Sequence, residues 1–126
     1  MLTVVQILAG LAGVVHVGIF YMEVVRFTDR KVYRGTFGVA DEDVQACVPW
    51  AFNQGFYNLF LAIGAFVGVA LVRGNADAGW ALILMSCGSM LAAAIVLVAK
   101  YRDKASAAAK QGLFPALTLL AALTQL

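Results

Sequence analysis

The chain has 126 residues, of which 63% are hydrophobic and 13% are charged. Ordinary soluble domains are about 25% charged, because a small soluble protein has to cover a large surface with polar groups. The composition therefore excludes a soluble globular protein and predicts a single integral membrane domain over residues 1–126. The formal net charge is only +2, and the distribution of the charges is more informative than this total.

The first apolar segment runs from about residue 2 to residue 25 and predicts the first membrane span. At a rise of ~1.5 Å per residue, a helix of this length reaches across the ~30 Å hydrocarbon core of a bilayer. His16 and Glu23 interrupt the segment with ionisable side chains. A basic start and a small-residue cleavage pattern are both missing, which predicts a retained span rather than a removed signal peptide.

A polar loop follows the first span, with a basic part over residues 26–34 and an acidic part over residues 41–43. Phe37-Gly38 indicates a turn between the two parts. Asp41 is placed to cap a short helix through Gln45 to Val48, since carboxylates favour helix N-termini. This helix would either lie along the membrane interface or lead into the second span. Trp50 then predicts an aromatic anchor at the membrane interface.

Three further apolar segments predict three more spans, at about residues 50–72, 79–99 and 112–126. Gly64 and Gly68 give the second span a small-residue stripe that favours close packing against a neighbouring helix. A tight polar turn over residues 73–77 joins the second and third spans. The fourth segment is short for a crossing, and its Pro115 is expected in the first turn, where proline is tolerated.

The basic residues divide unequally between the loops. Eight of the nine lie in the first and third loops, and the second loop carries only Arg73. Because cytoplasmic loops are enriched in lysine and arginine, we expect loops one and three in the cytoplasm and both termini outside. The eight residues are Arg26, Arg30, Lys31, Arg34, Lys100, Arg102, Lys104 and Lys110.

The candidate site is a polar cluster shared by the first two spans. His16 and Glu23 are seven residues apart and share one helical face. If the two spans are antiparallel, Glu23 comes level with Asn53 and Gln54, and His16 lies deeper, somewhat beyond Asn58. Ionisable residues inside a span indicate function by default, because burying them costs several kcal/mol. The predicted pocket contains His16, Glu23, Asn53, Gln54, Tyr57 and Asn58.

Other interpretations of these residues stay open. Glu23 could pair with Arg26 or Arg30 in headgroup water, the amides could only join helices, and His16 could be a hydrogen-bonded core residue. One histidine and one carboxylate are too few for a closed zinc site, so we predict no metal and no cofactor. Cys47 and Cys87 are interpreted as small apolar residues rather than a disulfide.

At these residues the sequence resembles a bacterial family of small four-span membrane proteins, catalogued as domain of unknown function family 1304. The string Asn-Gln-Gly-x-Tyr-Asn is the specific part of the resemblance, which covers nearly the whole chain. A tryptophan that the family often carries shortly after the glutamate is absent here. The resemblance implies an antiparallel four-helix transmembrane bundle in a bacterial plasma membrane and the same polar site, but no activity. The matching pieces are His16, Phe20 to Glu23, Phe37-Gly38, Asn53 to Asn58 and Leu59 to Ala62.

Three functions fit this pattern. An apolar cavity with a few convergent polar groups is typical of a ligand site, so the first is a pocket that binds or processes a small lipophilic molecule. The second is an accessory subunit of a membrane complex, and the third is a small proton-coupled transporter. The expected partners are the lipid bilayer, the ligand and further copies of the chain, with no nucleic acid. The residues leave open whether the protein is an enzyme.

Overall fold

The computed structural model describes residues 1–125, which form helices and turns without a β-strand. The helices are α1 (Leu2–Val24), α2 (Arg30–Tyr33), α3 (Val44–Leu71), α4 (Ala76–Lys100) and α5 (Ala105–Ala122), and a 3-10 turn, η1 (Arg102–Lys104), connects the last two. Three of them, α1, α3 and α4, are long and apolar enough to cross a membrane. These three helices identify a membrane protein.

The long helices pack in a ring in which α1 contacts α3 and α5, and α4 also contacts α3 and α5. Contacts along the α1–α3 interface show that the two helices are antiparallel. Gln6 near the start of α1 bonds to Val69 near the end of α3, whereas Glu23 near the end of α1 bonds to Asn58. The ring encloses a core of small and branched side chains: Val5, Ala9, Ala12, Ala65, Val72, Ile83, Cys87 and Met90.

Glycines bring α3 and α4 together. A Cβ added at Gly68 would lie 2.9 Å from Cγ1 of Ile83, and one added at Gly64 would collide with Oγ of Ser86. Small residues permit this approach of two helix backbones, which gives van der Waals contact where lipid supplies little hydrophobic driving force. The stripe expected from the sequence therefore packs within the chain, against α4.

The polar loop differs from its prediction. Residues 45–48 are helical and lead into the second span, because α3 begins at Val44 and continues through Pro49. The separate interfacial helix and the cap at Asp41 were predicted wrongly, since Asp43 is the residue that precedes α3. The short helix of this loop is instead α2, where the Asp29 carboxylate accepts a hydrogen bond from the Lys31 backbone N–H at 3.0 Å. Asp41 receives hydrogen bonds from side chains of the loop.

The position of Pro115 was also predicted wrongly. α5 begins at Ala105, seven residues before the expected start at Gly112, so Pro115 lies in its interior and is buried. Interior prolines are tolerated in membrane helices when the freed backbone groups find other partners. Because Pro115 has no N–H, the carbonyl of Gln111, four residues earlier, lacks its usual helical hydrogen bond.

The first and third loops lie at the same end of the molecule. Gly38 has a φ of 68°, a left-handed conformation that glycine adopts readily. A Cβ at this position would lie 2.9 Å from Nζ of Lys104 in η1. The turn expected at Phe37-Gly38 therefore brings the first loop against the third.

Candidate functional site

His16 is the deepest polar residue on the inner face of α1. Its side chain is 2% exposed, and its Nδ1 lies 2.9 Å from the backbone carbonyl of Ala12, one turn earlier. A carbonyl oxygen can only accept, so Nδ1 carries the proton of this bond. In a neutral ring, Nε2 is then left as an acceptor.

Glu23 and Asn58 form the polar contact between α1 and α3. Asn58 Nδ2 donates to Glu23 Oε2 at 2.8 Å and also to the backbone carbonyl of Gln54 at 3.2 Å. Asn58 is 8% exposed, whereas Glu23 is half-buried. A carboxylate within a membrane helix is thus held by an amide from the neighbouring helix.

Gly55 allows the two helices to approach closely at this level. A Cβ at Gly55 would lie 2.6 Å from Cγ2 of Val24 and 3.1 Å from Cβ of Glu23. Beside this contact, the rings of Phe20 and Phe56 meet edge to face, with centroids 5.3 Å apart. The sequence analysis did not assign a role to Gly55. The sequence feature that could have indicated this close approach is a glycine between the amide residues Gln54 and Asn58.

The alternative that pairs Glu23 with a loop arginine is not what the structure shows. Arg26 forms its salt bridge with Asp29, and Arg30 lies 3.4 Å from the carboxylate of Asp41. Among residues 1–125, the hydrogen bond to Glu23 from a side chain comes from Asn58. The carboxylate therefore belongs to the α1–α3 interface.

The structure does not bring all six predicted site residues together. Asn53, Gln54 and Tyr57 are exposed, and Tyr57 keeps 59% of its surface. Asn53 and Tyr57 are turned by roughly 140° and 100° from the side on which Asn58 meets α1, whereas Gln54, one turn before Asn58, lies within about 40° of that side. His16 and Glu23, seven residues apart on α1, are separated by about 10 Å along the helix axis and make no direct bond. The gathered core of the site is therefore the pair Glu23 and Asn58.

Asn53 and Tyr57 lie on the side of α3 that faces α4 farther along. Gly64, which packs on Ser86, follows Tyr57 by seven residues and Asn53 by eleven, close to two and three full turns. The three positions therefore share a face, yet only the Gly64 end is covered by α4. The groove between α3 and α4 is therefore open at the end of the molecule that carries the first and third loops, where Asn53 and Tyr57 are exposed.

A second polar network ties α1 to α3 at the opposite end. Arg73 donates to Gln6 Oε1 and to Thr3 Oγ1, both at 2.9 Å, and Gln6 Nε2 donates to the Val69 carbonyl at 2.9 Å. These bonds satisfy polar groups at the start of the first span. From the sequence, Arg73 had been notable only for its charge.

Asp41 is the centre of the first loop. Tyr33 Oη donates to Asp41 Oδ1 at 2.9 Å, and Arg34 Nη1 donates to Oδ2 at 3.0 Å. The hydrogen bond from Tyr33 lowers the pKa of the Asp41 carboxyl, and the charges of Arg30 and Arg34 act in the same direction. This network holds the loop above the end of the helix ring.

Two open cavities lie away from the predicted site. One is a cleft of about 440 Å³ in the first loop, between Arg34 and Glu42. The other is an apolar groove of about 400 Å³ along α4 and α5, bordered mainly by alanines, leucines and Gly112. None of the six predicted residues lines either cavity. Residues 1–125 also contain no cluster of three histidine, cysteine or carboxylate side chains that could hold a metal ion.

A family model described as "Protein of unknown function (DUF1304)" matches residues 10–123, which is most of the chain. The match includes α1 from Gly10 onward, all of α3 and α4, and α5, so it contains Glu23 and Asn58. No curated protein and no solved structure matches the chain.

Proposed function

We propose a function for this chain, which belongs to the DUF1304 family of proteins of unknown function. The protein binds a small lipophilic molecule between α1 and α3, near the end of the bundle that carries the first and third loops. Glu23 and Asn58 make the polar contacts with the ligand, and the apolar faces of the helices contact the remainder. His16 lies deeper on the same face of α1.

The observation that carries this proposal is the hydrogen bond between Glu23 and Asn58 across the α1–α3 interface. An ionisable side chain within a span is costly, and such residues usually belong to a substrate or ion pathway. An ionised carboxylate has sites for about four hydrogen bonds, and residues 1–125 give Glu23 one. The remaining capacity is available to a ligand, and Glu23 is exposed enough for one to reach it.

The three exposed polar residues form the rim of the proposed site. Asn53, Gln54 and Tyr57 are exposed and belong to the same two turns of α3 that hold Asn58. A molecule with a polar head would meet these groups at headgroup depth before it reached Glu23. The open groove between α3 and α4, beside Asn53 and Tyr57, offers an approach from the lipid.

The proposal includes a fourth crossing and a defined orientation. α5 has 18 residues, or about 27 Å of helix, close to the ~30 Å of the hydrocarbon core. It packs on α1 and α4 as the fourth member of the ring. The contact between Gly38 and Lys104 supports a single basic end, which by the positive-inside rule faces the cytoplasm of a plasma membrane. The ligand site then opens toward the cytoplasmic leaflet.

Mass spectrometry of the small molecules retained by the purified protein tests the proposal. Wild type is compared with Glu23→Ala and Asn58→Ala, and Asn75→Ala at the far end of the bundle serves as the matched control. We expect a lipophilic compound that is retained by wild type and Asn75→Ala but lost from both site variants. An identical set of retained compounds in all four proteins would contradict a ligand site at Glu23 and Asn58.

A further inference from the structure

We propose that the head of this ligand is a hydrogen-bond donor, a hydroxyl or an amine, and that molecules whose polar groups only accept are excluded. The inference rests on the proposed function and narrows the class of ligand. It follows from a count of the donors and acceptors that the site has already used.

Asn58 has used both of its donors. One N–H of Nδ2 is directed at Glu23 Oε2 and the other at the carbonyl of Gln54. Rotating the amide by 180° would place Oδ1 against two oxygens that also accept, so the orientation of the group is fixed by its neighbours. The Asn58 side chain can therefore only accept a hydrogen bond from a ligand, through Oδ1.

Glu23 and His16 offer acceptors as well. The Glu23 carboxylate accepts one hydrogen bond from the described side chains, at Oε2, and its other lone pairs stay available. His16 has committed Nδ1 to Ala12, which leaves Nε2 as an acceptor in the neutral ring. A proton on Glu23 would add one donor, and acceptors would still be in excess.

This excess decides which head groups fit. An ether, ester, ketone or quinone would place further acceptor oxygens against Glu23 and Asn58 Oδ1, and in a low-dielectric setting the unpaired groups are costly. A hydroxyl or an amine donates to these atoms. A hydroxyl oxygen can in addition accept from Gln54 Nε2, the exposed amide on the adjoining face of α3.

The side-chain amides of asparagine provide a local readout, because the chain contains only Asn53, Asn58 and Asn75. We would label asparagine with ¹⁵N, assign the signals with Asn53→Gln and Asn75→Ala, and titrate the protein in detergent micelles. The probes are tetradecanol, tetradecylamine and tetradecyl methyl ether, which share one chain and differ in their capacity to donate. Asn75, at the other end of the bundle, is the internal control.

We expect tetradecanol and tetradecylamine to shift the Asn58 signal saturably, with an apparent affinity at least about tenfold above that of the ether, as one hydrogen bond to a charged group implies. Glu23→Leu should remove the difference between the alcohol and the ether, and the Asn75 signal should not respond. If Glu23→Leu does not fold, Glu23→Gln replaces it and should reduce the difference in affinity between the alcohol and the ether.

Saturable binding of the ether as tight as that of the alcohol would overturn the inference about the head group, but it would still support a ligand site at Asn58. No saturable shift of Asn58 with any probe would overturn the proposed function together with the inference.

Discussion

Asn58 Nδ2 lies 2.8 Å from Glu23 Oε2 and joins two membrane helices through residues that are 35 positions apart in the chain. The contact is local to one turn of each helix, and it depends on the absence of a side chain at Gly55. Each part of this arrangement can be changed separately.

Removing the amide should destabilise the protein by leaving the carboxylate without its partner. For Asn58→Leu we expect the free energy of unfolding to fall by about 1–2 kcal/mol, the usual range for an unsatisfied buried group and for hydrogen bonds between membrane helices. Asn53→Leu, at an exposed position, should change it by less than about 0.5 kcal/mol. Reversible unfolding in mixed micelles gives both values.

A double-mutant cycle separates this bond from general effects of substitution. Replacing both partners by apolar side chains removes the unpaired group, so Glu23→Leu combined with Asn58→Leu should be more stable than the sum of the single changes predicts. We expect a coupling energy of about 1 kcal/mol. Strict additivity would mean that the two side chains do not interact in the membrane.

Gly55→Ala should separate α1 from α3 at the level of the site. The added methyl group would lie 2.6 Å from Cγ2 of Val24, closer than carbon atoms approach without displacement. We expect a lower midpoint of thermal unfolding and a loss of the retained ligand. Gly18→Ala is the matched control on α1, because a Cβ there meets nothing within 4 Å and alanine favours the helix. Equal behaviour of the two variants would contradict the close approach at Gly55.

Hydropathy in the sequence predicted which segments form the long helices. The sequence did not predict which face of each helix packs against its neighbour. Apolar runs indicated α1, α3 and α4 within a few residues, and the seven-residue spacing placed His16 and Glu23 on one face. By contrast, Asn53 and Tyr57 lie within five residues of Asn58 in the sequence but face away from α1. Which of these faces meets a neighbour depends on the packing at Gly55 and Gly64, which no helical periodicity reveals.

Boundaries near the loops were harder to predict for a related reason. Neither Pro49 nor Pro115 ends its helix, because α3 begins more than one turn before Pro49 and α5 almost three turns before Pro115. An apolar run predicts only the part of a helix that lies in the bilayer. α3 and α5 also include polar residues before their apolar runs, so both helices begin earlier than hydropathy predicts.

Loop accessibility tests the orientation and the fourth crossing. In a variant with both native cysteines replaced by alanine, single cysteines at Thr36, Gly74 and Gln125 mark the first loop, the second loop and the end that follows α5. We expect a membrane-impermeant maleimide to label Gly74→Cys and Gln125→Cys in intact cells, and Thr36→Cys only after permeabilisation. Labelling of Gln125→Cys only after permeabilisation would show that α5 does not cross.

The first loop should lose its order at low pH. Its hydrogen bond to Tyr33 holds the pKa of Asp41 below the ordinary value of 3.8. A group with a lowered pKa stabilises the folded loop above its ordinary pKa, and the contribution is lost as the pH falls through the lowered value. We expect the exchange protection of the Val39 N–H, which bonds to the Tyr33 carbonyl, to decrease in that range. Tyr33→Phe should move the Asp41 titration upward, as followed by ¹³C NMR of the carboxyl group, and an unchanged titration would contradict the network.

The tautomer of His16 is the most direct test of the interior of the bundle. The chain has one histidine, so ¹⁵N-histidine labelling gives the signals of a single ring. Because Nδ1 lies 2.9 Å from the Ala12 carbonyl, the neutral ring should carry its proton on Nδ1, and Nε2 should show the shift of an unprotonated nitrogen. A ring protonated on Nε2 could not donate to that carbonyl and would contradict the position of the side chain. Ala12→Leu, by contrast, leaves the carbonyl in place, so the Nδ1-protonated form should persist if the variant folds.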